Sequence, residues 1–189
     1  IVDLSAGPAH PVWCPQGRLN IAVSCFHGRN LLAPAIVTKD ESGATREISL
    51  AQLYAAALGV VASLQYMGLQ PGDAIAIDMP MTAESVIIYL GIVLAGCSAV
   101  SIADSFAPAE IATRLRISGA KAIFTQDVIA RGSKTLPLFQ RVVDAEAPTA
   151  IVVPAADELQ VQLRPDDLSW AAFLAQGQQA SEPNPVICS

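Results

Sequence analysis

Two short polar segments hold side chains that could bind an anionic ligand. Asp104 and Ser105 follow a predicted buried strand and precede a predicted helix. Arg131 and Lys134, separated by a glycine and a serine, follow the next predicted strand along the chain. Two cations beside a glycine can pair with a phosphate group. Because open α/β sheets bind ligands at the carboxyl ends of their strands, both segments are predicted at the ligand-binding edge.

Each segment also has an ordinary structural interpretation. Asp104 and Ser105 suit a helix cap and a loop, and a basic pair such as Arg131 and Lys134 suits a solvated turn. The residues alone leave both interpretations open. No GxGxxG, GxxxxGK[ST], HExxH or GxSxG pattern occurs in the chain, so the common dinucleotide, P-loop, zincin and hydrolase signatures are absent and we assign no catalytic residue.

A third group combines residue types that coordinate zinc, namely His10, Cys14, Cys25 and His27. Their spacing fits no familiar zinc motif. We therefore expect unrelated residues of an arm and a buried segment here, and no metal site.

The ligand-binding edge must be built by a βαβ unit at the centre of the chain. Residues 74–79 (AIAIDM) have the composition of a strand covered on both faces. Thr82 is predicted to cap a helix that is apolar almost all round, and Gly96 ends it before a second buried strand at residues 99–102. This pattern predicts two neighbouring parallel strands.

The flanking sequence extends this unit into an α/β fold, a doubly wound and mostly parallel sheet with helices on both faces and a short N-terminal hairpin. The predicted elements are a hairpin of 35–39 and 46–48, helices at 49–67, 108–118 and 136–146, strands at 121–125 and 149–153, an edge strand at 159–163, and a last helix capped by Asp166 or Asp167. We expect residues 1–18 to form an irregular arm and residues 19–189 to form one partial domain.

Composition excludes several classes of protein. The chain has 189 residues, of which 52% are hydrophobic and 15% charged, a composition typical of a globular protein. Eleven basic and 17 acidic residues give a net charge of −6, which disfavours nucleic acid as a partner. The four cysteines, Cys14, Cys25, Cys97 and Cys188, show no framework spacing and are predicted to be free thiols.

Two uncharged runs, residues 48–72 and 86–103, are long enough to cross a membrane. Both contain glycines and polar residues that divide them, and neither is bordered by a basic cluster. We therefore expect no membrane span, and an integral membrane fragment stays the alternative.

A long series of residues carries a family resemblance. It comprises Leu64, Gly68, Pro71, Gly72, Asp73, Met79, Pro80, Glu84, Gly91, Ala95 and Gly96. This series resembles the N-terminal region of the adenylate-forming enzymes, the AMP-dependent acyl-CoA synthetase and ligase superfamily. The segment SIADSFAPAEIATRLRISGAKAIFTQD is similar to the plant and algal acyl-activating enzymes of the acetyl-CoA synthetase branch, which are assigned to peroxisomes.

The resemblance implies an ATP-dependent, AMP-forming acid–thiol ligase. Such an enzyme uses ATP and Mg²⁺ to convert a small carboxylic acid into an acyl-adenylate, and coenzyme A then displaces AMP. The phosphate loop and the mobile C-terminal domain of the family have no counterpart in this sequence, so the rest of its own chain is an expected partner. We expect the fragment alone to be inactive and to bind no cofactor tightly, and a non-catalytic binding module from a truncated transcript stays the alternative.

The resemblance also implies a location and a cofactor site. It implies a peroxisomal protein, with a cytoplasmic one as the alternative. Arg131 and Lys134 stand where the family binds the 3′-phosphate of coenzyme A. Ala103, Asp104 and Ser105 replace a Phe-Gly-Gly segment that lines this pocket in the family, which puts a carboxylate near an anionic ligand.

Overall fold

The computed structural model describes residues 2–15, 17–39, 43–131, 134–179 and 185–187 of the chain. The strands are β1 Val2–Asp3, β2 Val12–Trp13, β3 Pro34–Lys39, β4 Thr45–Ser49, β5 Ala74–Asp78, β6 Ser98–Ile102, β7 Ala122–Gln126, β8 Ile129–Arg131, β9 Lys134–Leu136, β10 Ala150–Val153 and β11 Leu168–Ser169. The helices are α1 Val23–Phe26, α2 Leu50–Tyr66, α3 Ala83–Leu94, α4 Pro108–Ser118, α5 Leu138–Asp144 and α6 Trp170–Gly177.

Five strands form one parallel sheet in the order β11-β10-β7-β5-β6. The chain runs from β5 to β6 on one side and then returns across β5 to β7 on the other. The strand order therefore reverses beside β5, which makes the carboxyl ends of β5 and β7 a topological switch point. The predicted doubly wound α/β fold is confirmed.

Helices cover both faces of this sheet. Ile75 and Phe124 belong to a buried cluster with side chains of α2, α3 and α6. Ala76 and Ile123, the next residues along the same strands, belong to a second cluster with side chains of α4 and α5. Successive strand residues point to opposite faces, so near-continuous apolar strands such as β5 are what a sheet covered on both faces requires.

Both long central helices begin at a side-chain cap, and the cap predicted at Thr82 is confirmed. The Ser49 hydroxyl accepts a bond from the Gln52 backbone N–H at 3.2 Å, and the Ser49 N–H donates to the Gln52 side chain at 2.9 Å. Thr82 and Ser85 make the same reciprocal pair at the start of α3. Each pair satisfies two backbone donors that have no partner within the helix.

The edge strand predicted at residues 159–163 is wrong. The backbone N–H of Gln160 donates to the Asp127 carboxylate at 3.0 Å, and the strand beside β10 is β11. Leu159, Val161 and Leu163 are partly buried against the α4 and α5 side of the sheet. Their alternation reflects a segment with one face on the core, because an irregular segment of this kind shows the same pattern as a strand.

The cap predicted for the last helix is also wrong. Ser169 caps α6 by accepting a bond from the Ala172 N–H at 3.1 Å. The Asp167 carboxylate instead accepts bonds from the Ala150 N–H and from the Arg164 guanidinium, each at 2.8 Å. Asp167 thus ties the start of β10 to the segment before β11, and these bonds hold the pKa of its carboxyl below the usual value although burial opposes them.

The Asn20 side chain helps to join the N-terminal segment to the domain. Asn20 is buried, and its amide nitrogen donates to the carbonyls of Val93 at 2.6 Å and Val186 at 2.9 Å. Its side-chain oxygen accepts a bond from the Ala22 N–H at 3.0 Å, at the turn before α1. Upstream, where an irregular arm was expected, the exposed strands β1 and β2 form a two-residue antiparallel ladder.

The remaining predictions concern the hairpin, the membrane and the cysteines. Strands β3 and β4 pair antiparallel as predicted, and residues 40–42 between them lie outside the described residues. None of the helices in the described ranges has the length and apolar content that crossing a membrane needs. Cys14 and Cys25 are exposed free thiols and Cys97 is buried, whereas Cys188 is outside the described part of the chain.

Gly91 provides a test of the packing between α2 and α3. A Cβ atom at Gly91 would lie 2.5 Å from the Cβ of Val60 and 3.0 Å from the carbonyl oxygen of Ala57. We expect Gly91→Ala to lower the free energy of unfolding by about 1–3 kcal/mol, because the helices must move apart. Urea unfolding followed by circular dichroism measures this.

The matched control is Gly59→Ala in the interior of α2. The nearest atom to a Cβ there is a methyl of Leu174 at 3.8 Å, which is an ordinary contact. The higher helix propensity of alanine should raise stability by about 0.5–1 kcal/mol. Equal effects at the two glycines would contradict the close helix contact.

Candidate functional site

The two segments singled out from the sequence both follow strands that end at the carboxyl edge of the sheet. In register, Asp78 at the end of β5 lies opposite Ile102 of β6 and Thr125 of β7. The three strands therefore end at the same level. The segment of Asp104 and the segment leading to Arg131 both leave the sheet at this edge.

Arg131 and Lys134 occupy paired positions of a small hairpin. Strand β8 pairs antiparallel with β9, and Arg131 lies opposite Lys134 in the register. Gly132 and Ser133, between them, are outside the described residues. A loop had been predicted here, with a helix from residue 136, whereas Leu136 ends β9 and α5 begins at Leu138. The signal was present, because a Gly-Ser pair between two short runs is typical of a hairpin.

A buried carboxylate anchors the base of this hairpin. Asp127 accepts bonds from the backbone N–H groups of Val128 at 2.7 Å, Ala155 at 2.8 Å and Gln160 at 3.0 Å. Its carbonyl accepts a bond from the Phe139 N–H, at the start of α5, at 3.2 Å. Asp127 thus joins the end of β7 to α5 and to the segment after β10, and its role is structural.

The segment after β6 is held from two helices. The Arg141 guanidinium of α5 donates to the Asp104 carbonyl at 2.9 Å. On α4, the guanidinium carbon of Arg114 lies 3.8 Å from the centre of the Phe106 ring, a cation–π contact. The N-cap of α4 is Ala107, so neither Asp104 nor Ser105 caps this helix. Asp104 is half-buried and Ser105 is exposed.

Three buried side-chain oxygens among the described residues have no hydrogen-bond partner, and all lie at the ends of β5 and β7. They are both carboxylate oxygens of Asp78 and the side-chain oxygen of Gln126. Strand alternation places Asp78 on the α4 and α5 side and Gln126 on the opposite side. The two side chains therefore do not form one site.

Asp78 has a buried carboxyl group without a hydrogen-bond partner at this edge. Its side chain is fully buried, and burial raises the pKa of its carboxyl from 3.8 to about 7. Burial is the largest contribution to this net value; the nearby Asp104 carboxylate also raises the pKa, and the Arg141 guanidinium lowers it. The sequence contained a signal, since Asp78 is the single polar residue of an apolar strand, but no role was predicted for it.

The described residues do not assemble a metal site. No group of three or more His, Cys, Asp or Glu side chains lies together in the described ranges. His10, Cys14, Cys25 and His27 are therefore not gathered as the ligands of one ion there.

Comparison with known proteins identifies what this fold is similar to. The family described as AMP-binding enzyme matches residues 29–186. The chain is 52% identical over 169 residues to "Probable acyl-activating enzyme 17, peroxisomal" of Arabidopsis thaliana, covering 86% of the chain and 23% of that protein. It is 46% identical over 179 residues to "Hexanoyl-CoA synthase" of Cannabis sativa, covering 91% of the chain and 25% of that protein.

A solved structure shows the same fold. The crystal structure of Brucella canis acyl-CoA synthetase matches with a TM-score of 0.76 at 24% identity, over 93% of this chain and 30% of that one. The chain thus spans about a quarter of the length of the curated relatives it matches, at 23% and 25%.

Removing the Asp127 carboxylate tests its anchoring role. We expect Asp127→Ala to lower the free energy of unfolding by about 2–4 kcal/mol, because backbone donors at Val128, Ala155 and Gln160 lose their acceptor. Thermal and urea unfolding measure the change. Asp157→Ala, at an exposed position of the same segment, should change stability by less than about 0.5 kcal/mol. Similar losses in both variants would contradict the assignment.

Asp78 should make stability depend on pH. Since the pKa of its carboxyl is about 7 in the folded protein and 3.8 ordinarily, the folded state keeps a proton that the unfolded state releases. Its contribution to stability is therefore full below pH 3.8 and is lost as the pH rises toward 7. We expect Asp78→Asn to stabilise the protein at about pH 8 by up to roughly 4 kcal/mol and to have little effect near about pH 4.

Urea unfolding across this pH range measures the difference between Asp78→Asn and the wild type. Asp157→Asn serves as the control, because its side chain is exposed. If the free energy of unfolding has the same pH dependence in the wild type and in Asp78→Asn, the buried carboxyl does not take up a proton on folding.

Proposed function

The chain belongs to the AMP-binding enzyme family, and from that membership we propose that it is the N-terminal portion of an acyl-CoA ligase. The whole enzyme activates a carboxylic acid and transfers it to coenzyme A. The observation that carries the proposal is the match to two relatives named for acyl activation, at 52% and 46% identity over most of this chain.

The proposed reaction has two balanced steps. The carboxylate attacks the α-phosphorus of ATP, which forms the acyl-adenylate and releases pyrophosphate. The thiol of coenzyme A then attacks the acyl carbon, which forms the thioester and releases AMP and a proton. Mg²⁺ supplies charge neutralisation at the ATP phosphates when it is bound. We propose that ATP and Mg²⁺ bind to other parts of the full-length protein.

We further propose that the carboxyl edge of this sheet binds the nucleotide end of coenzyme A. The β8–β9 register supports this proposal, because Arg131 lies opposite Lys134 and two cationic residues can pair with the 3′-phosphate. Asp104 repels a phosphate, so we assign its carboxylate to the donor groups of the adenosine. Ser105 is exposed at the same edge and is the fourth residue of the proposed site.

Substrate and location follow from the names of relatives and are likewise proposals. We propose a small carboxylic acid as substrate, and hexanoate is the first to test because one relative is named hexanoyl-CoA synthase. We propose a peroxisomal enzyme, with the cytoplasm as the alternative, because one relative is named peroxisomal.

Charge reversal in the full-length enzyme tests the function and the site separately. We expect Arg131→Glu with Lys134→Glu to raise the KM for coenzyme A by on the order of tenfold, the loss of about one charge-assisted bond. Pyrophosphate release in the first step should stay at the wild-type rate, because ATP binds elsewhere. Steady-state assays of both half-reactions with hexanoate measure these quantities.

The matched control is Arg116→Glu, an exposed cation in the last turn of α4. That helix begins at the carboxyl edge and runs back along the sheet, so Arg116 lies toward the opposite edge. An unchanged KM in the double variant would overturn the coenzyme A site alone. Failure of the wild-type full-length protein to form any acyl-CoA would overturn the enzyme and favour a non-catalytic binding module.

A further inference from the structure

A long side chain of α5 contacts the backbone of the Asp104 segment. Arg141 lies on α5, 37 residues away in sequence, and its guanidinium is half-buried. It donates to the backbone carbonyl of Asp104 at 2.9 Å. A bond to a backbone carbonyl fixes the course of the chain at Asp104 whatever the Asp104 side chain does.

The Asp78 carboxyl lies close to this contact without taking part in it. Asp78 is paired with Ile102 in the sheet, and Ile102 precedes Asp104 by two residues. Both Asp78 oxygens are buried and have no partner, although the Arg141 charge acts on them. A buried carboxyl without hydrogen-bond partners is destabilising, and a hydrogen-bond donor beside it would reduce that cost.

Arg141 is the cation that we consider as this hydrogen-bond donor. The charged groups that act on the Asp78 carboxyl are Asp104, beyond β6, and Arg141, on α5. Its strand neighbours Ile102 and Thr125 carry no charge.

Other charged groups on the surrounding elements are engaged elsewhere. On α4, Glu110 accepts from the Ala107 N–H, and Arg114 lies on the Phe106 ring. Asp127 accepts three backbone N–H bonds, and Asp144 on α5 accepts from Gln140. Among the charged groups described on these elements, Arg141 is therefore the donor that we assign to an ionised Asp78.

We propose that Arg141 is a positioning residue for the segment of Asp104 and Ser105, and that it exchanges between the Asp104 carbonyl and the Asp78 carboxylate when Asp78 loses its proton. The exchange needs no ligand, whereas its importance for coenzyme A rests on the proposed function. A guanidinium–carboxylate bond is stronger than a guanidinium–carbonyl bond, and an unpaired buried carboxylate is costly. Both effects favour the move once Asp78 is ionised.

The direction of the effect follows from the burial of Asp78. Because burial raises the pKa of its carboxyl to about 7, Asp78 is neutral in acid and Arg141 then holds Asp104 in place. Above that pH the guanidinium turns to Asp78, and the segment of Asp104 and Ser105 is released.

Nuclear magnetic resonance of this chain tests the exchange without any ligand. The amide of Ser105 and the side-chain Nε of Arg141 should titrate together with a midpoint near 7, the pKa of the Asp78 carboxyl. Asp78→Asn, which is of the same size and does not ionise, should abolish both titrations and keep the low-pH shifts. Arg141→Lys should keep a weakened titration, and Arg141→Ala should leave Ser105 at its released shift at every pH.

A Ser105 titration that persists in Asp78→Asn would overturn the proposal, since its source would then be a group other than Asp78. An Arg141 Nε signal that does not move in the wild type would overturn it without recourse to any variant. Asp157→Asn is the control, and in this variant the Ser105 amide and the Arg141 Nε should titrate as they do in the wild type.

The full-length enzyme separates this proposal from the preceding one. The KM for coenzyme A should rise as the pH passes through the Asp78 transition in the wild type and should lose that rise in Asp78→Asn, while pyrophosphate release keeps its own pH profile. If the KM for coenzyme A does not rise with pH while the Ser105 amide still titrates, the assignment of this segment to coenzyme A binding is wrong. The exchange of Arg141 between Asp104 and Asp78 would then still be supported.

Discussion

The contact between α2 and α3 is the constraint on which the rest of this structure depends. At Gly91 the backbone of α3 lies so close to Val60 that a methyl group would not fit. This approach lets both helices lie on one face of the sheet over Ile75, at the centre of the larger buried cluster. Because α3 is the crossover between the parallel strands β5 and β6, its packing on α2 positions the connection between them.

The polar groups at the carboxyl edge differ in whether they form hydrogen bonds to the backbone of other segments. Asp127 and Arg141 satisfy backbone groups of other segments, and so they hold the β8–β9 hairpin and the Asp104 segment in place. Asp78 satisfies none and remains buried with a raised pKa. Groups that a fold leaves unsatisfied at a ligand-binding edge are candidates for function, because structure alone does not account for them.

The sequence predicted what is decided by near neighbours. The caps Ser49 and Thr82 act on residues three positions away, and the apolar strands are recognised from their own composition. The errors arose where a partner is distant in sequence. Gln160 donates to Asp127, 33 residues earlier, and this bond replaces the ladder of a predicted strand. Arg141 reaches Asp104 across 37 residues, so its role could not be inferred from any local pattern.

Hydrogen–deuterium exchange of the full-length enzyme with and without coenzyme A tests the central claim most directly. The account predicts slower exchange in two separate stretches, residues 103–106 and the β8–β9 hairpin, because both lie at the carboxyl edge. It predicts no change in β3 and β4, which lie outside the parallel sheet. Protection confined to β3 and β4, or absent from both edge stretches, would contradict the account.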